Sequence, residues 1–357
     1  MKISIVSFSL YVLMICFWLS IIGGFLFFTH FEGFITPKSV ITVFAWGDIF
    51  DPLYIKEFER ETGIKVVMSY YASNEELLVK LKATGGKGYD IIIPSDYILK
   101  QLREENLLKE LDKEKLLFFK QLNPQLLNLP FDPDNKYSIP FEWEVFGLGI
   151  NRDYFKEEIV ASWDLIFKQP PYRITMVNDP LEAFSFAAYF LYGPQKSFNN
   201  QQIEGIKKLL IQQKKWVEAY VNFRADYFLI TKNCPLVVAS SSYIMRALQE
   251  YPFVDFIIPQ EGTFMTIENI AIPRASTHDD FIYQFINFLY RPESMRHHFN
   301  KFGFFPARLD VITVLTTDEH LNRSIQNAFN NFDRYFLFNK IIQDQSLRDL
   351  WVTIKSS

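Results

Sequence analysis

The chain has 357 residues, a formal net charge of -4, 49% hydrophobic residues and no long charge run. Such a length exceeds the roughly 250–300 residues at which one core stops growing, so two domains or one two-lobed domain are expected. The apolar share excludes global disorder, and the lack of a basic stretch argues against nucleic acid as a partner. Two cysteines, Cys16 and Cys234, give no disulfide framework. The five histidines show no metal-ligand spacing: His297 and His298 are adjacent and diverge by about 100° on a helix, so neither a metal nor a cofactor is expected. The 37 phenylalanines are read as core filling.

Met1 and Lys2 precede an uncharged apolar run from Ile3 to Phe28. About 20 apolar residues span a bilayer, and Lys2 favours an inward N-terminus. Residues 1–37 are therefore expected to be a signal peptide or membrane anchor, with the remainder in the periplasm or on the outer face of the cytoplasmic membrane. Leu13-Met14-Ile15-Cys16 loosely resembles a lipoprotein box, with Ile15 bulky where a small residue is usual.

Ile41 to Trp46 reads as a buried strand, Leu53 to Glu61 as a helix stopped by Gly63, and Ile64 to Tyr71 as a second strand. Asn74 opens a helix with Leu77, Leu78 and Leu81 at helical spacing, and Tyr89 to Pro94 is a continuous apolar strand of the parallel-sheet kind. This alternation is the α/β pattern, whose ligands bind at the carboxyl ends of the strands. Trp46 and Ser95-Asp96-Tyr97 fall at those ends. Thr84-Gly85-Gly86-Lys87-Gly88 follows a helix and lacks the Lys-Ser/Thr of a phosphate loop, so it reads as a turn. Further on, Arg173 to Val177 is a strand, Pro180 to Leu191 a helix, and Leu236 to Ala239 a short strand before Ser240-Ser241-Ser242. Asp255 to Pro259 and Asn269 to Pro273 are expected to be strands crossing between lobes, and Phe281 to Tyr290 a helix. Asp179-Pro180-Leu181-Glu182 has the form of a helix start with a capping-box variant.

Phe58-Glu59-Arg60-Glu61-Thr62-Gly63-Ile64-Lys65-Val66 and Tyr89-Asp90-Ile91-Ile92-Ile93-Pro94-Ser95 resemble the extracytoplasmic solute-binding proteins of ABC importers. Trp46, Ser73-Asn74-Glu75, Phe131-Asp132-Pro133, Tyr137-Ser138-Ile139-Pro140, Ser162-Trp163-Asp164 and Ala271-Ile272-Pro273 narrow the resemblance to the spermidine/putrescine-binding members, over roughly residues 40–305. It implies a two-lobed α/β periplasmic-binding-protein fold of type II form, each lobe a mainly parallel sheet flanked by helices, with the ligand in the interlobe cleft. The expected division is 38–147 with 269–312, and 148–268 with 313–357.

In that family aromatic rings sandwich the methylene chain and carboxylates hold the ammonium groups, which agrees with the cost of burying an unpaired cation. Carried over by position, the resemblance implies ligand contacts from Trp46, Asp48, Ser95 and Tyr97. It implies a grip on one amine by Asp179 and Glu182, one on the other amine by Glu268, and a ring from Phe304. Ile49 stands where a tyrosine is expected, and Ser240 and Thr266 where two tryptophans are. Tyr243 and Phe264 are the candidates to fill in.

The expected function is the substrate-binding component of an ABC transporter, a monomer that is not an enzyme. It would bind a polyamine and deliver it to membrane permease subunits. The alternatives are the same scaffold for a cationic amino acid, a metal or a sugar, or an enzyme on this fold using Cys234.

Overall fold

The computed structural model describes residues 13–23, 39–47, 49–339 and 342–357. Residues 13–23 form an exposed helix, α1. The rest of the expected leader, and with it the question of an anchor, lies outside the described residues. Among the described residues no helix is long and apolar enough to cross a membrane.

The first strands are β1 (Val40–Trp46), β2 (Lys65–Tyr71) and β3 (Ile91–Ile92), with α2 (Pro52–Thr62), α3 (Asn74–Thr84) and α4 (Asp96–Glu104) after each. β1 pairs in parallel with both neighbours. Local chemistry sets these elements. The Asp51 carboxylate accepts the Leu53 N–H at 2.9 Å, and Gly63 ends α2 at φ 72°. Ser73 caps α3 through the Glu76 N–H, and Leu77, Leu78 and Leu81 are its buried face. β3 is shorter than the apolar run suggests. Pro94 has no N–H to give, and the Asp90 carboxylate takes the Thr42 N–H; flanking bonds from Asp90 to Thr42 O (2.8 Å) and Ile93 to Phe44 O (3.1 Å) still hold the segment along β1.

β4 (Ser138–Asn151) is long, roughly 45 Å at a strand's rise, and belongs to both halves of the molecule. The second half adds α5 (Asp164–Phe167), β5 (Ile174–Val177), α6 (Pro180–Tyr192), α7 (Asn200–Gln213), β6 (Val217–Val221), α8 (Asp226–Ile230), β7 (Leu236–Ser240), α9 (Ser241–Glu250) and β8 (Val254–Ile257). β9 (Thr263–Ala271) then returns. It is followed by α10 (Asp279–Leu289), α11 (Pro292–Phe302), β10 (Phe305–Pro306), α12 (Leu309–Ile312), α13 (Glu319–Asn330), β11 (Tyr335–Leu337) and α14 (Asp344–Ser356).

Among the described residues the strands form one curled sheet in the order β2-β1-β3-β9-β4-β7-β5-β6. Two parallel groups, β2-β1-β3 and β7-β5-β6, are thus joined by the antiparallel pair β9 and β4, which gives two lobes. The segment expected to cross at Asp255 to Pro259 does not. Its strand, β8, pairs only with Leu148 to Asn151 at the far end of β4, and the crossings are β4 and β9.

The phenylalanines fill the cores. Phe58 meets Phe285 and Phe288 of α10 at 4.9 and 5.3 Å between ring centres, and Trp143 is enclosed by Phe305, Phe329 and Phe332. A second cluster gathers Trp163, Phe186, Met176, Leu236 and Trp351 around β5 and β7.

Candidate functional site

At the carboxyl end of β1 the Trp46 ring lies 4.7 Å from Tyr71, and its indole N–H donates to Glu268 Oε2 at 3.0 Å. Ser95, at the N-cap of α4, donates its hydroxyl to Glu268 Oε1 at 2.6 Å and forms an isolated backbone bridge with the same residue. The two strand ends thereby present one carboxyl, with a donor on each oxygen. Burial beside Glu142 and Asp96 pushes its pKa well up, against the pull of those two donors. Asn74, wholly buried, organises the surroundings: its amide donates to Ser95 Oγ at 3.0 Å and to the Tyr97 hydroxyl at 2.7 Å, while its oxygen accepts the Ser95 N–H at 3.3 Å. Burial raises the Tyr97 pKa, and the charges of Glu75, Glu268 and Asp179 add to the effect, so Tyr97 lies within the field of acids from both lobes. Asp48 lies outside the described residues.

On the other lobe Asp179 is the N-cap of α6, accepting the Leu181 and Glu182 N–H groups at 2.8 and 3.0 Å. The expected capping box is only half formed: Glu182 does not return a bond to the N-cap backbone. Burial instead pushes the pKa of its carboxyl well up, with Asp179 and Glu144 as like charges nearby.

Glu144 is the residue that the motif comparison passed over. It lies on β4 opposite Thr266 of β9, next along the same face from the pair Glu142 and Glu268. Thr266 Oγ1 donates to Glu144 Oε1 at 3.4 Å, and Ser242 and Ser240 lie beside the carboxyl. Burial and Glu142 raise its pKa against these hydroxyls. The available signal was the run Phe141-Glu142-Trp143-Glu144-Val145: two acids at alternate positions of an otherwise apolar strand share one face.

Tyr243, on α9, lies in the field of Glu144 and Glu182, with the Arg246 guanidinium 5.0 Å from its ring centre. Phe264 packs elsewhere, stacked at 4.8 Å on Phe338, so of the two candidates Tyr243 is the ring near the acids. Ile49 is buried in the core. Phe304 is half-buried at 6.1 Å from the His298 ring, and Gly303 before it approaches the Ser242 carbonyl closely.

Among the described residues no lysine or arginine forms an ion pair with Glu144, Glu182 or Glu268, although surface acids are widely paired. Nor do any three His, Cys, Asp or Glu side chains cluster with the arrangement of a metal site there. Cys234 is fully buried, and burial pushes its thiol up to about 11, the opposite of an activated nucleophile. His297 and His298 turn to different partners, Asp51 and Glu142.

Residues 54–323 match the model of a family described as bacterial extracellular solute-binding proteins. The chain is 31% identical to the spermidine/putrescine-binding periplasmic protein of Escherichia coli, covering 79% of this chain and 81% of that protein. It is 30% identical to a putrescine-binding periplasmic protein of Pseudomonas aeruginosa, covering 72% and 75%. It is also similar to the solved substrate-binding protein of a spermidine/putrescine ABC transporter from Streptococcus pneumoniae. That match has a TM-score of 0.77 at 26% identity and covers 89% of this chain and 99% of that one.

Proposed function

Because the chain belongs to the family of bacterial extracellular solute-binding proteins, we propose that it binds a polyamine of the spermidine or putrescine type in the periplasm or at the outer face of the cytoplasmic membrane and delivers it to the permease subunits of an ABC importer. The observation that carries this reading is the pair of half-buried carboxyls of Glu268, on β9 beside Ser95, and Glu182, on α6, with which no lysine or arginine among the described residues forms an ion pair. Carboxyls so placed are costly to ionise alone and favourable to ionise beside a cation, which is the chemistry an alkylammonium requires.

In this reading Glu268, with Ser95 and Trp46 behind it, takes one terminal ammonium, and Asp179 with Glu182 takes the other. Trp46, Tyr97 and Phe304 cover the methylenes, and Asp48 adds a further acidic group. The lobes are 38–147 with 269–312 and 148–268 with 313–357, following a segment 1–37 that exports or anchors the chain. They close through β4 and β9 by contacts made only with ligand bound. The protein is a monomer and not an enzyme; the buried, high-pKa Cys234 supports the second of these by arguing against a nucleophilic thiol.

A thermal-shift comparison of putrescine and spermidine with amino acids and sugars tests the proposal. A polyamine at 100 times its dissociation constant should stabilise the protein by about 2.7 kcal/mol. No shift with any polyamine at millimolar concentration overturns it.

A further inference from the structure

We propose that Glu144 is a third charged contact of the cleft, placed for the internal nitrogen of a triamine, and that the protein therefore selects a spermidine-like ligand over a diamine. The inference rests on the polyamine reading above.

The register supplies the first argument. Glu142 faces Glu268 and Glu144 faces Thr266 across β4 and β9, so all four side chains share one face of the sheet. Glu144 and Glu268 are diagonal neighbours, about 7–8 Å apart at the backbone. That step is comparable to one short alkyl spacer between two nitrogens. In the other direction Glu144 is close enough to Glu182 to raise its pKa. Glu144 thus stands between the two proposed terminal grips.

The second argument is the chemistry around it. Ser240 and Thr266 occupy positions where the family resemblance places tryptophans, and both hydroxyls lie beside the Glu144 carboxyl, with Ser242 Oγ 3.0 Å from Ser240 Oγ. Rings grip methylenes, whereas hydroxyls support a carboxylate. The two departures therefore suit the acid at 144, giving charge contact where rings would give hydrocarbon contact.

The third argument is the state of the buried oxygens. Glu144 Oε2 is buried and receives no hydrogen bond of good geometry. Glu142, only 1% exposed, bonds His298 through Oε2, while its Oε1 has no partner among the described residues; its charge raises the pKa of both Glu144 and Glu268. A secondary ammonium has two N–H donors and a positive charge, and answers this arrangement. A diamine reaching both ends would set a methylene against Glu144 and leave a buried acid unpaired.

Calorimetric titration of the full chain with spermidine, putrescine and octane-diamine tests the assignment. Octane-diamine has spermidine's length with a methylene in place of the internal nitrogen. The wild-type protein should bind spermidine roughly tenfold to a hundredfold tighter than octane-diamine, the scale of one charge-assisted hydrogen bond. Glu144→Gln should remove that difference by weakening spermidine alone. Equal affinity of the wild type for the two ligands overturns the proposal without depending on the variant. Discrimination that survives in a Glu144→Gln protein with an unchanged melting curve overturns it as well. Failure of all three ligands to bind the wild type overturns the polyamine reading itself, a result distinct from binding without discrimination.

Discussion

Asp179 accepts the Leu181 and Glu182 N–H groups, so an Asn there keeps an N-cap acceptor and loses only the charge. Asp179→Asn is therefore expected to melt within a few degrees of the wild type while polyamine affinity falls roughly tenfold to a hundredfold. Glu182→Gln should behave alike, since Glu182 makes no capping bond that Gln would forfeit. Titration calorimetry beside melting curves reads both quantities, and unchanged affinity in both variants would reduce the pair to a helix start. The N-cap role of Asp179 was legible in Asp-Pro-Leu-Glu, because capping chemistry is local. The bond from Trp46 to Glu268 was not, since it joins residues 222 positions apart. Only the family resemblance put these two residues in one site. Glu144 escaped for another reason: it lies outside the motifs that carry the resemblance, and its signal is only the alternation of Glu142 and Glu144 along the strand.

Elements with strong local punctuation were read closely from the sequence. The helix Pro52–Thr62 has its Asp cap and Gly stop, and Asn74–Thr84 has its Ser cap and leucine face. β4 had no such signal. Its fourteen residues are almost all buried because sheet or helix covers both faces, which removes the alternation by which a strand announces itself. The turn after α11 shows how a distant contact fixes an element. Gly303 has φ 80°, and a Cβ there would come within 2.1 Å of the Ser242 carbonyl oxygen at the start of α9. Gly303→Ala should cost at least ~1–2 kcal/mol for the left-handed backbone alone, with the clash adding to it. Because Ser242 borders Glu144, polyamine affinity should fall as well. A denaturant midpoint equal to that of the wild type would show that the close approach carries no weight.

At the scale of the whole molecule, the buried acids tie stability and binding to pH in opposite senses. Burial raises the folded-state pKa values of Glu144, Glu182 and Glu268, and it raises that of Asp96 to about 7, against the pull of the Ile267 N–H. A group whose folded pKa exceeds its unfolded value holds its proton longer in the native state. Its contribution is complete below the unfolded pKa, near 4, and is lost as pH rises through the folded value. Asp51 has the other sign. Burial pushes its pKa up, but the Leu53 N–H, Lys301 and His297 together hold it at about 2, so its contribution is present above about 4 and is lost only in strong acid. The ligand-free protein should therefore lose melting temperature between about pH 4 and pH 8. Binding should run the other way. An alkylammonium favours the ionised carboxyl, so protons must leave as it enters, and affinity should climb with pH until the amine itself begins to deprotonate near 10. Calorimetry at pH 7 in two buffers of different ionisation enthalpy measures this directly, because the apparent heat differs by the number of protons released. A net release of protons on spermidine binding, together with weaker binding at pH 6 than at pH 8, is the expected result. Identical heats in the two buffers would mean that the cleft acids are already ionised without ligand. The electrostatic basis for cation binding would then have to come from other groups.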